Sequence, residues 1–80
     1  MTKVGEVTHY FDKIGVAVIK TIVDLKVGAK IKFSGSVEFS QTISSMQVDH
    51  KSIDMAKSGD EAGLKVDEPV KPGDEVFLLE

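Results

Sequence analysis

The sequence predicts an all-β domain, a small closed six-stranded β-barrel spanning residues 1–80 as one unit. Three observations carry that expectation. Apolar and polar residues alternate over short segments, the two-residue period of a strand with one buried face. Turn residues interrupt those segments every 8–15 residues. No segment keeps a helical period long enough to cover a sheet, so the strands must hide their own edges, and closure into a barrel does that. Eighty residues form a thin core, because a chain this short buries only about 60% of its unfolded surface.

The elements follow in chain order. "VGEVTHYF" (4–11) mixes Val, Thr, Tyr and Phe as strands do, and Val7 and Tyr10 break strict alternation, which marks a bulge. "DKIG" (12–15) is a loop ending in Gly, and the apolar run "VAVI" (16–19) completes a hairpin. In "AKIKFS" (29–34), Ile31 and Phe33 face inward while Lys30 and Lys32 face outward. "SGS" (34–36) turns the chain into "VEFSQTI" (37–43), with Val37, Phe39 and Ile43 inward. The phase then slips at Ser44 and Ser45, and Met46 and Val48 carry the next apolar positions, as at a barrel corner. "HKSIDMAKSGD" (50–60) has the one helical hint, a single turn capped by Ser52 with Ile53 and Ala56 on one side. "EAGLKV" (61–66) alternates with Ala62, Leu64 and Val66 inward, "DEPVKPGDE" (67–75) is a turn region, and "VFLL" (76–79) is the last strand.

Three phrases nearly rhyme: "LKVGAKI" (25–31), "AKSGDEA" (56–62) and "VKPGDEV" (70–76). A phosphate-binding loop needs several glycines and a following helix; each phrase has one Gly at the shared position and strand-like sequence after it. The uneven spacing of Lys26, Lys57 and Lys71 excludes a repeat array. The remaining reading is a turn. In Lys71-Pro72-Gly73-Asp74, Pro fixes φ and Gly takes the positive φ that a type II turn requires. Gly28, Gly59 and Gly73 are therefore expected to be structural, and the neighbouring lysines solvated.

Composition narrows function. The chain has no Cys, hence no disulfide, no thiolate nucleophile and no Cys-based zinc site. Its net charge is −3, and all ten basic residues are Lys. Without Arg, the usual donor for bidentate guanine and phosphate contacts, sequence-specific DNA binding is not expected. No apolar run approaches the roughly 20 residues of a membrane helix, and "MTKVGEV" lacks a signal-peptide pattern. The expectation is a cytoplasmic protein with no membrane partner. His9 lies mid-strand, and His50 with Asp54 falls short of zinc spacing, so no metal is expected. Neither histidine has a nucleophile context, so no enzymatic activity is expected.

The order and spacing of these phrases carry two resemblances. "VGEV", "LKVGAKIKF", "MQVDHKSIDMAKSGDEAGLKV" and "VKPGDEVFLL" together resemble the second, β-barrel domain of the translation GTPases of the elongation factor Tu type. The tail "VDEPVKPGDEV" also resembles the small C-terminal barrel of the collagenase-like peptidase family, whose members include RNA-modifying enzymes. The chain has no Walker-type loop and no room for a nucleotide-binding domain, so only the barrel of that family is carried over, and neither GTP nor a cofactor is expected. The first resemblance implies a role for "MQVDHK" (46–51), which in those factors contributes to the pocket for the aminoacylated end of tRNA; Gln47 stands where an acid is common there. The resulting expectation is a non-catalytic accessory module linked to translation or RNA modification. It would touch tRNA, another RNA or an RNA-handling protein through Gln47, His50 and Lys51, with help from Lys30 or Lys32. The alternative is a module that docks on an enzyme without RNA. Convergent lysines favour RNA, and an exposed apolar patch favours protein.

Overall fold

Val, Thr, Tyr and Phe make the N-terminal segment a strand, and its broken alternation makes it bend. β1 (Thr2–Phe11) pairs with β2 (Val16–Thr21), and the register slips between Val7 and His9, where the bulge is expected. The connecting loop closes when Gly15, at φ +64°, donates its N–H to the carbonyl of Phe11. The computed structural model of the chain describes residues 2–79, so both ends of the expected 1–80 domain lie outside it. The remaining strands are β3 (Leu25–Lys26), β4 (Lys30–Ser34), β5 (Phe39–Thr42), β6 (Met46–Val48), β7 (Lys51–Ile53), β8 (Met55–Ala56), β9 (Glu61–Lys65) and β10 (Glu75–Leu78). None of the described residues forms a helix long and apolar enough to cross a membrane.

Eight strands form one antiparallel sheet in the order β5-β4-β10-β1-β2-β9-β6-β7, and β3 pairs with β8 as a separate ribbon. The expectation of a closed six-stranded barrel is corrected on both counts: the domain is all-β, but it is a curled eight-stranded half-barrel. Its edge strands β5 and β7 do not pair with each other. The physical reason lies in the short strands near Ser44 and Ser45. Two- and three-residue pairings are too brief to show alternation, and they break the sheet before it closes. A side chain partly bridges the opening. The Gln41 amide on β5 donates to the Lys65 carbonyl (2.7 Å) and accepts from the Asp67 N–H (2.8 Å), so it mimics a peptide unit of a missing strand.

The stretch 50–60 is also corrected. Ser52 and Ile53 lie in β7, and Ala56 lies in β8 opposite Leu25. Pairing of Ile53 with Met46 and burial of Ala56 outweigh a single helical turn that has no length to propagate.

The core fills the concave face. Val4, Ile19, Ile31, Phe33, Leu64 and Val76 are wholly or almost wholly buried; each such side chain contributes about 1.5–3 kcal/mol by leaving water. Phe33 stacks on Phe39 with ring centroids 4.9 Å apart. Lys30 is exposed opposite this face, as alternation requires.

The three rhyming phrases fold as one geometry used three times. Gly28, Gly59 and Gly73 take φ of +95°, +94° and +95°. Each turn closes with a backbone bond from the residue after Gly to the Lys carbonyl: Ala29 to Lys26, Asp60 to Lys57, Asp74 to Lys71. Each Gly N–H also reaches a carbonyl elsewhere in the chain, that of Ile43, Thr21 or Val7, at 2.8 Å. In the second and third copies the Asp carboxylate accepts from the Lys backbone N–H, at 3.0 Å for Asp60 and 2.9 Å for Asp74. Among the described residues, no lysine side chain of these turns forms a hydrogen bond or ion pair. Nothing lies within 4 Å of a Cβ added at any of the three glycines, so a substitution there costs only backbone strain. We expect Gly28→Val or Gly73→Val to destabilise by about 1–2 kcal/mol, and Lys26→Ala or Lys71→Ala to stay within about 0.5 kcal/mol. Thermal melts compare the four directly, and larger losses for the lysine variants would refute the turn reading.

Candidate functional site

The outer face of the sheet carries a groove between two hairpin tips. One wall is the β1–β2 tip, where Phe11 is 50% and Ile14 61% exposed. Alternation explains Phe11: it follows the bulge on the outward side of β1, and its ring stacks with that of His9 at 6.3 Å. Ile14 sits in the loop itself and faces no core. The other wall is the β6–β7 turn, in which Val48 pairs with Lys51 across Asp49 and His50. Both turn residues have positive φ, +53° and +64°. Positive φ at both central positions is the type I′ geometry whose twist matches a hairpin. The chain thus places Asp and His where Asn-Gly fits best. We expect Asp49→Asn with His50→Gly to raise stability by about 1 kcal/mol, read as a higher Tm; an unchanged or lower Tm would contradict this.

The floor follows from cross-strand register. Val18 of β2 lies opposite Gly63 of β9, and Gly63 lies opposite Gln47 of β6. Gly63 supplies no side chain, so the row dips between Val18 and Gln47. The cavity is about 350 Å³. A Cβ at Gly63 would sit 3.5 Å from Val16 Cγ1 and 3.9 Å from the Gln47 carbonyl, which is ordinary contact, so the dip is real space. Its charged lining consists of Asp49 and Glu61. Neither carboxylate enters an ion pair or a hydrogen bond among the described residues.

Among the residues singled out from sequence, Gln47 and His50 line this groove, and Lys51 follows on exposed β7. Lys30 and Lys32 do not line it. They lie on β4, separated from β6 by β10, β1, β2 and β9 in the strand order, and Lys32 is drawn to Glu38 at 3.7 Å. Phe11, Ile14, Asp49 and Gly63 were not singled out as site residues. Signals for them exist: an Ile inside a turn, a Gly inside an alternating strand, and a two-residue gap between apolar positions. A larger cavity of about 810 Å³ opens between Tyr10, Val37 and Val70. It abuts Ser36, whose hydroxyl donates to the buried Asp74 carboxylate, and presents less exposed apolar surface. A second exposed apolar set, Ile22, Val23, Val27 and Met55, surrounds the β3–β8 ribbon.

The fold places the chain in a structural class. Two crystal structures of the C-terminal domain of a Geobacillus thermoleovorans "putative U32 peptidase" share it. The selenomethionine variant matches with a TM-score of 0.91 over 95% of this chain and 98% of that one, and a second structure with 0.90 over 96% and 91%. Both are 21% identical in sequence, so the likeness shows the fold. It matches the resemblance to the collagenase-like peptidase barrel; the likeness to the translation-factor barrel is not shown. The chain is also 38% identical, over 96% of its length, to part of the "Uncharacterized protease MJ0090" of Methanocaldococcus jannaschii, of whose length it spans 19%. No protein-family model matches the chain.

Proposed function

We propose that this chain is a non-catalytic accessory module of the U32-peptidase type that docks a polypeptide in the outer groove. The partner is the catalytic part of such a peptidase, joined in one chain or bound as a separate one. The observation that carries the reading is the exposed Phe11–Ile14 wall facing a glycine floor. Isolated surface apolar residues need no explanation, but apolar residues that line a concavity mark an interaction site. Support comes from the relatives: the similar solved domain is one part of a larger peptidase, and the similar segment is one part of a longer protease.

RNA contact is the competing reading, supported by Gln47 and His50 in the lining and Lys51 beside it. NMR shift mapping separates them with two probes: the M. jannaschii protease lacking its matching segment, and a tRNA acceptor-stem oligonucleotide. Docking predicts shifts at Ile14, Val18 and Gly63 with the protease and none with RNA. Shifts confined to Gln47, His50 and Lys51 with RNA, weakening with salt at a slope of about −0.7 per phosphate contact, would replace this reading.

A further inference from the structure

Taking the groove as a polypeptide site, we propose that its occupant is a basic segment with one or two aliphatic side chains flanked by lysine or arginine. The apolar half of the match is the wall formed by Phe11 and Ile14 with Val16 and Val18 beneath. The charged half is the pair Asp49 and Glu61. The chain carries ten lysines, yet no lysine lines the groove and none forms an ion pair with either carboxylate among the described residues. Lys20 is the register partner of Glu61 on β2, and its ammonium makes no ion pair with it. Both residues are exposed, so each carboxylate attracts a cation at the modest strength of a surface pair, and the two together give the groove a net negative field. An acidic occupant, or a phosphate backbone, would meet like charge at Asp49 and Glu61.

The test uses two synthetic peptides, Lys-Lys-Leu-Leu-Lys-Lys and Glu-Glu-Leu-Leu-Glu-Glu, titrated into the labelled protein and followed by NMR. The basic peptide should shift the Val16, Val18 and Gly63 amides and bind about tenfold tighter than the acidic one, the sum of two exposed charge pairs. That preference should fade at high salt and disappear in the Asp49→Asn, Glu61→Gln double variant. Gly63→Leu should abolish binding of both peptides by filling the floor. Equal binding of the two peptides, still blocked by Gly63→Leu, overturns the charge inference alone. No shift in the groove with either peptide overturns the polypeptide reading as well.

Discussion

Asp74→Ala is expected to lower stability by about 3 kcal/mol, since bonds to a charged acceptor contribute about 1.5–3 kcal/mol each and losing it strands their donors. Asp74 is 4% exposed, and its carboxylate takes three donors: the Ser36 hydroxyl at 2.6 Å, the Ser36 N–H at 2.9 Å and the Lys71 N–H at 2.9 Å. It ties the β4–β5 turn to the third rhyming turn. For a domain of this size the loss corresponds to a fall in Tm of roughly 12–24 °C. Asp74→Asn keeps one acceptor oxygen and should fall between. Burial pushes this carboxyl up, but the hydrogen bonds from Ser36 and Lys71, with the Lys71 charge, outweigh it and hold it below its ordinary 3.8. A depressed carboxylate stabilises the fold above its unfolded pKa and loses that contribution as pH falls through the folded one. Stability of the native protein should therefore drop on acidification below about pH 4, and the drop should be smaller in Asp74→Asn. Denaturant melts at neutral and acid pH measure both effects. Equal acid sensitivity in the two proteins would show that Asp74 is not the group responsible.

Gly5→Ala should be comparably damaging, at about 3 kcal/mol, the upper range for overpacking a filled site. A Cβ there would lie 2.6 Å from the Lys20 carbonyl and 2.7 Å from Ile19 Cγ2. The carbonyl belongs to the backbone of the paired strand and cannot swing aside, so β1 and β2 would have to part where the register with β10 also shifts. Loss of the cooperative melt, or a Tm lowered well beyond that of Gly28→Val, is the expected result. A near-native Tm would mean that the two strands separate easily.

These two positions show what the sequence carries and what it hides. The three rhyming glycines are legible because glycine has few other reasons to sit at a strand entry, whereas the close approach of β2 at Gly5 is set by the β1–β2 pairing and leaves no mark in the sequence. Ile31, Phe33, Ala62 and Leu64 are legible from period alone, and all four are buried. The role of Asp74 is hidden, because its partners Ser36 and Lys71 meet it only through tertiary folding, and in sequence the Asp reads as one more charge in a turn. The rhyme draws the eye to Lys, while the structure gives the work in two of the three turns to Asp. Gln41 is hidden for the same reason: a side chain that stands in for a strand leaves no periodic trace. At the site, a family resemblance picks out Gln47 and His50. The walls they face come from a distant hairpin, and only the register of β2, β9 and β6 brings the two tips to one groove.

Docking through that groove is tested most directly by calorimetric titration of the M. jannaschii protease lacking its matching segment, into the native chain and into Gly63→Leu. A Cβ at Gly63 meets only ordinary contacts and the groove opens beyond it, so the variant should melt like the native protein. The native chain should bind, and Gly63→Leu should bind about tenfold more weakly or not at all, as expected when the centre of an interface is filled. Equal affinity of the native chain and a well-folded Gly63→Leu would contradict the groove as the docking site.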